Sequence, residues 1–160
     1  MEIIVGMLLF GMVVMTVTAA ISPLMLAYRR ANDLAEYNQI LDAIGNRITS
    51  EMAKADEING ITSGTNSVTI RNNAIPTTFS IVNGHLFIQR GSNPATPVYQ
   101  PEFYRGKVLG TQAAGGGTGL LVGGTSPNFT LTITVSSQTS GANVGAEISR
   151  TYAVRPLLMS

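Results

Sequence analysis

From Ile3 to Ala27 the chain carries no ionisable side chain, and up to Ile21 its only threonines and glycines are Gly6, Gly11, Thr16 and Thr18. No other stretch limits the possible folds so strongly. At 1.5 Å per residue, the Ile3–Ile21 run makes a helix of about 28 Å, close to the hydrocarbon thickness of a bilayer. The run therefore predicts a membrane-spanning helix. A secretory signal peptide places positive charge first, then a short apolar core, then small residues for cleavage. Here the order is reversed. Glu2 comes first, the apolar run follows, and Arg29 and Arg30 come after it. The run also passes without a break into a polar, helix-forming stretch, so it reads as half of a long helix that stays with the protein.

The segment Met1-Glu2-Ile3-Ile4-Val5-Gly6-Met7-Leu8-Leu9-Phe10-Gly11 resembles the N-terminal helix of type IV pilins and of the related secretion and competence pseudopilins. In that family a peptidase removes a short basic leader, and the mature chain begins with a few apolar residues, a glutamate and a long hydrophobic helix. Aligning Glu2 with that glutamate puts Gly11 and Pro23 where members often carry a helix-loosening glycine and proline. The family pattern has the glutamate fifth, whereas it stands second here. The resemblance covers about thirty residues in detail and only the architecture beyond them. It implies assembly through Glu2, Ile3, Ile4, Val5, Gly6, Gly11 and Pro23, with the glutamate neutralising the N-terminal amine of a neighbouring subunit. It also implies other copies of the chain as partners, together with a prepilin peptidase, a pilus assembly platform and the inner membrane before assembly. The finished filament would then lie outside the cell.

The charge of Glu2 is expensive to bury unpaired in an apolar bundle, and opposite charges attract strongly there. A helix N-terminus also favours an acid by its dipole. Gly6 and Gly11 allow close helix approach in a membrane, but their spacing of five is not that of a GxxxG motif.

After Pro23 the pattern becomes amphipathic. Leu34, Tyr37, Leu41, Ile44, Ile48, Met52 and Ala55 recur at intervals of three and four, which predicts one apolar stripe packed on a sheet. Pro23 removes a backbone donor, predicting a kink or an unwound turn near Thr18–Ser22. Asn59-Gly60 predicts the helix end near Ile58. Strands are expected at Ser67–Arg71, followed by a turn at Asn72-Asn73, and at Thr77–Val82 and His85–Gln89 around Asn83-Gly84. That dipeptide is a strong hairpin signal. Glu102–Tyr104 and Lys107–Leu109 predict a further short strand, and Gly110–Gly124 a glycine-rich loop. Asn128–Ser136 predicts the clearest strand, with Phe129, Leu131, Ile133 and Val135 on one face. A long turn over Ser137–Gly145 and a strand over Ala146–Val154 follow. The Arg155–Met159 tail is placed along the domain edge.

These elements make an α+β fold, with a long N-terminal helix laid on a C-terminal antiparallel sheet of about four or five strands. The expected organisation is an apolar assembly or transmembrane helix over 1–27, its amphipathic continuation over 28–58, and a β-rich head over 59–160. Composition agrees: only 12% of the 160 residues are charged, about half the usual share. The net charge of +1 gives no broad electrostatic footprint for nucleic acid. Its distribution is uneven, with the helical part net acidic and the remainder, apart from Glu102 and Glu147, basic.

Catalytic and metal-binding patterns find no support. The chain has no cysteine and one histidine, His85, which excludes disulfides, thiolate zinc sites and cysteine nucleophiles. His85 reads as a solvated strand residue. The stretch around Gly119 lacks the Gly-Lys-Ser/Thr ending of a phosphate loop, and Asp56-Glu57 lies at a helix end with no pocket implied. Asn128-Phe129-Thr130 fits a glycosylation sequon but opens the best strand. No cofactor is implied. The expected function is mechanical and non-enzymatic: a structural subunit of a pilus-like filament serving adhesion, motility, DNA uptake or secretion. The alternatives are a minor pilin or pseudopilin, and a single-span anchored extracellular binding domain.

Overall fold

The computed structural model describes residues 2–55, 61–72, 75–110, 118–125, 127–137 and 147–156, except for the side chain of residue 2. The expectations for Asp56-Glu57, Asn59-Gly60, Asn73, Gly115–Gly117, Gln138–Gly145 and Leu157–Met159 lie outside the described residues. The fold is α+β: among the described residues, one long N-terminal helix, α1 (Glu2–Met52), is followed by nine strands and a short 3-10 helix. The chain divides into two compact units, Met1–Glu36 and Tyr37–Ser160, and α1 contributes to both.

Two expectations for α1 need correction. Residues 18–22 stay α-helical and Pro23 lies inside the helix, so no unwound turn forms. Proline removes one donor, the one that would reach the Ala19 carbonyl, and the flanking turns keep their bonds. The helix also ends at Met52, earlier than Ile58. Its last bonds tighten, with Ala53 N–H donating to Thr49 O at 2.9 Å and Ala55 N–H to Met52 O at 3.2 Å. The second is an i to i−3 bond of the kind that closes helix ends.

The Tyr37–Ser160 unit is a helical segment with two antiparallel sheets, where the sequence pattern predicted one. The first sheet is a meander of β1 (Ile61–Gly64), β2 (Ser67–Asn72), β3 (Ile75–Val82), β4 (His85–Arg90) and β5 (Thr96–Pro97) in sequence order. The β3–β4 turn is the expected one. Asn83 and Gly84 both have positive φ, 52° and 75°, as a type I′ hairpin requires. The second sheet contains β6 (Lys107–Leu109), β7 (Leu120–Thr125), β8 (Asn128–Ser137) and β9 (Ile148–Val154). β8 pairs with all three of the others.

Opposed residues in an antiparallel pair share a face, so the registers locate the core. Val68 lies opposite Phe79 and Phe79 opposite Ile88; Leu131 lies opposite Tyr152 and Ile133 opposite Arg150. The alternate positions form hydroxyl ladders, with Thr69–Thr78 at 2.9 Å, Thr132–Thr151 at 2.9 Å and Thr134–Ser149 at 2.8 Å. The two sheets are tied together where Leu109 N–H donates to Gly84 O at 2.8 Å and Gly119 N–H donates to Asn66 Oδ1 at 2.7 Å. Buried Ser136 donates to Gly110 O at 2.7 Å, so its hydroxyl is satisfied.

The predicted stripe is buried from Tyr37 onward: Tyr37, Leu41, Ile44, Ile48, Met52 and Ala55 join the core, together with Ile40. Leu34 is exposed and falls in the other unit. Polar contacts lock the buried segment to the strands. Tyr152 donates to Leu41 O at 2.8 Å and Tyr99 to Ala43 O at 3.1 Å. Arg150 reaches Asn38 Oδ1 at 2.9 Å and pairs with Asp42. A Cβ added at Gly45 would overlap the Tyr152 ring, so a close helix–strand approach requires glycine there.

Candidate assembly surface

In the Met1–Glu36 unit the candidate surface is the helix itself. α1 is long and apolar enough to span a membrane, and its most apolar stretch is wholly unburied. Ile3 is 77% exposed, and Ile4, Val5, Leu8, Leu9, Phe10, Met12, Val13, Met15, Leu24 and Met25 are also exposed. So dense a run of exposed large apolar side chains is unusual on a folded soluble chain and marks a surface that meets lipid or another apolar surface.

The two threonines on this stretch are satisfied locally. Thr16 donates to Met12 O at 3.1 Å or Val13 O at 2.9 Å, and Thr18 donates to Val14 O at 2.7 Å. Back-bonding of this kind lets a hydroxyl enter an environment without water. Gly6 and Gly11 are open, with nothing within 4 Å of an added Cβ. They leave flat places on the exposed helix. Ser22, Met25, Leu26 and Arg29 line a shallow groove of about 190 Å³, where the apolar surface gives way to charge.

The sequence-derived assembly residues thus lie along one helix. Ile3, Ile4 and Val5 are exposed in its first turns, Gly6 and Gly11 follow, and Pro23 is inside it. Glu2 opens the helix, and its side chain is outside the described residues.

The other candidates resolve differently. His85 is half-buried, its ring centroid 4.6 Å from that of Tyr104; the expectation of a solvated residue missed this partner because Tyr104 lies far along the chain. Burial pushes the Tyr104 hydroxyl up, opposed by the hydrogen bond that it accepts from Leu86 N–H at 2.9 Å. Burial likewise raises Tyr99 against the nearby Arg47, and Tyr152 against Arg150. The hydrogen bond to Asp42 pushes the Arg150 guanidinium above its ordinary range. Asn128 and Thr130 are exposed at the start of β8. Among the described residues, no three His, Asp or Glu side chains converge as a metal-binding group.

The sequence pattern missed one charged constellation. Glu51, near the end of α1, lies among three cations: Arg47 at 3.8 Å, Lys54 at 3.8 Å and Arg90 of β4 at 3.7 Å. Arg47 and Lys54 are at helical spacing and could be found from sequence, whereas Arg90 arrives only through the fold. Comparison with protein-family models, curated proteins and solved structures finds no match for this chain.

Proposed function

We propose that this chain is a structural subunit of a type IV pilus-like filament, polymerising through the apolar part of α1. The observation that carries the reading is the wholly unburied apolar stretch that begins directly after Glu2 and continues into a folded β-rich unit. Before assembly the helix holds the subunit in the cytoplasmic membrane. During assembly the helices of many copies bundle, each exchanging lipid for the apolar surfaces of its neighbours, while the β-rich units remain outside. Glu2 provides the register. A carboxylate at the start of an apolar bundle is costly to leave unpaired and is stabilised when it meets a positive charge such as a neighbour's N-terminal amine. A prepilin peptidase and a membrane assembly platform are the further partners of this reading, and the function is mechanical rather than catalytic.

Electron microscopy of sheared cell-surface material tests the proposal. Thin filaments containing this chain are expected from wild-type cells and should be lost or scarce with Glu2→Ala. Protein that stays in the membrane fraction in both strains, with no filaments, favours a single-span anchored domain instead.

A further inference from the structure

Among the described residues, the Glu51 constellation has three cations around one carboxylate. Arg47 and Arg90 both approach Glu51 Oε1, at 3.8 and 3.7 Å, while Lys54 approaches Oε2 at 3.8 Å. These separations are longer than charge-assisted hydrogen bonds, about 2.8 Å, so the guanidinium donors are not used up on this carboxylate. Glu51 itself is sheltered, with 16% of its side chain exposed, whereas Arg47 and Arg90 are 43% and 57% exposed.

A cavity of about 360 Å³ is lined by Arg47, Ile88, Arg90, Asn93, Pro94 and Thr96. Two arginines, an asparagine and a threonine line it, with Ile88 and Pro94 as an apolar wall, and no carboxylate is in the lining among the described residues. A second cavity, also about 360 Å³, contains Glu51 and Lys54 and shares Arg90. Arg90 therefore borders both a hollow that contains the Glu51 carboxylate and one whose described charged residues are all cationic. The Gly91 N–H donates to Pro76 O at 2.8 Å and Asn93 N–H to Arg90 O at 3.1 Å, so the turn after β4 is fixed and holds Asn93 beside Arg90.

We infer that the Arg47–Arg90 cavity is a binding site for a phosphate group. Both arginines line the same cavity, so a tetrahedral oxoanion within it can accept from both. Planar guanidinium forks match phosphate oxygens in pairs. Asn93 and Thr96 are further donors in the lining. The site is large enough to take a substituted phosphate, whether a lipid headgroup or a soluble phosphate ester. The inference is independent of filament assembly.

The test is an NMR titration of the full chain in non-ionic detergent. Sodium phosphate is compared with sodium chloride at matched ionic strength, and glycerol phosphate serves as a headgroup fragment. Saturable shifts at Arg47, Arg90, Asn93 and Thr96 are expected with phosphate, along with weakening of about tenfold or more in R47Q and R90Q. R155Q, outside the lining, should stay within about twofold of wild type. Both arginines are substantially exposed, and unchanged head resonances in the variants confirm that they fold. Glycerol phosphate binding more tightly than inorganic phosphate assigns the site to a headgroup or ester; equal binding assigns it to free phosphate. Shifts that chloride reproduces, or that survive R47Q and R90Q unchanged, overturn the inference.

Discussion

One helix displays two surfaces. From Ile3 to Leu26 its large apolar side chains are exposed, and from Tyr37 to Met52 they are buried against strands. Helical geometry is the same in both stretches, and neither lacks leucine, isoleucine or methionine. The difference lies in pattern. The second stretch alternates its apolar stripe with Asn38, Asp42, Asn46 and Arg47, so one face suits a core and the other suits water. The first is apolar all round, and no single sheet could cover it. A stripe finds its partner within the chain, whereas a cylinder needs one outside it: lipid, or other cylinders.

The largest effect that separates the two surfaces is expected from truncation. Ile44→Ala should lower the stability of the Tyr37–Ser160 unit by about 2–5 kcal/mol, the usual range for emptying a core isoleucine site. Leu9→Ala should leave that stability within about 0.5 kcal/mol. Chemical denaturation of the full chain in detergent reads both, and comparable losses would end the distinction. Next comes charge. Val13→Asp should oppose membrane insertion by about 2.5–3.5 kcal/mol, moving protein into the carbonate-extractable fraction without changing the melting of the β-rich unit.

Glycines sharpen the contrast at smaller scale. Gly45→Ala forces a methyl against the Tyr152 ring and should cost about 1–3 kcal/mol by overpacking. Gly11→Ala meets open space and should leave the β-rich unit unaffected while favouring its own helix by up to about 1 kcal/mol. Thermal melts of the pair provide the comparison.

The smallest expected effect is on pH dependence. Burial raises Tyr99, Tyr104 and Tyr152 above the ordinary tyrosine value. Between the unfolded and folded values, the unfolded chain holds fewer protons, so stability falls as pH rises. Their contribution is intact below about pH 10 and is lost as the pH climbs through the raised folded-state values. Tyr104→Phe should flatten part of this decline, and denaturation midpoints across alkaline pH would show it.

The sequence made visible those elements whose signal is local. Phe129, Leu131, Ile133 and Val135 alternate as a half-buried strand must, Asn83-Gly84 announces its turn, and the stripe from Tyr37 to Ala55 is written in its spacing. What it hid depends on distant partners. Leu120–Thr125 forms β7 rather than loop because β8 pairs with it along its length. Its glycines are there for close approach: a Cβ at Gly124, whose φ is +91°, would meet the Asn128 carbonyl, and one at Gly123 would lie 3.0 Å from Thr130 Oγ1. Pro101–Tyr104 is a 3-10 turn, not a strand, since Pro101 opens it and Tyr104 is drawn inward to Leu86. Ile61–Gly64 forms β1 only as an edge on β2, with little apolar alternation of its own. At the candidate surface, the exposure of Ile3–Leu26 was legible, whereas Arg90 beside Glu51 was not.

The central claim is that the exposed helix meets copies of itself. The chain has no cysteine, so single cysteines at successive positions from Ile3 to Leu26 can report helix-to-helix contact by oxidative cross-linking in membranes and in sheared surface material. The account predicts covalent dimers at a subset of positions recurring every three to four residues, diminished by Glu2→Ala. Membrane-embedded protein that yields no dimer at any of these positions would contradict it.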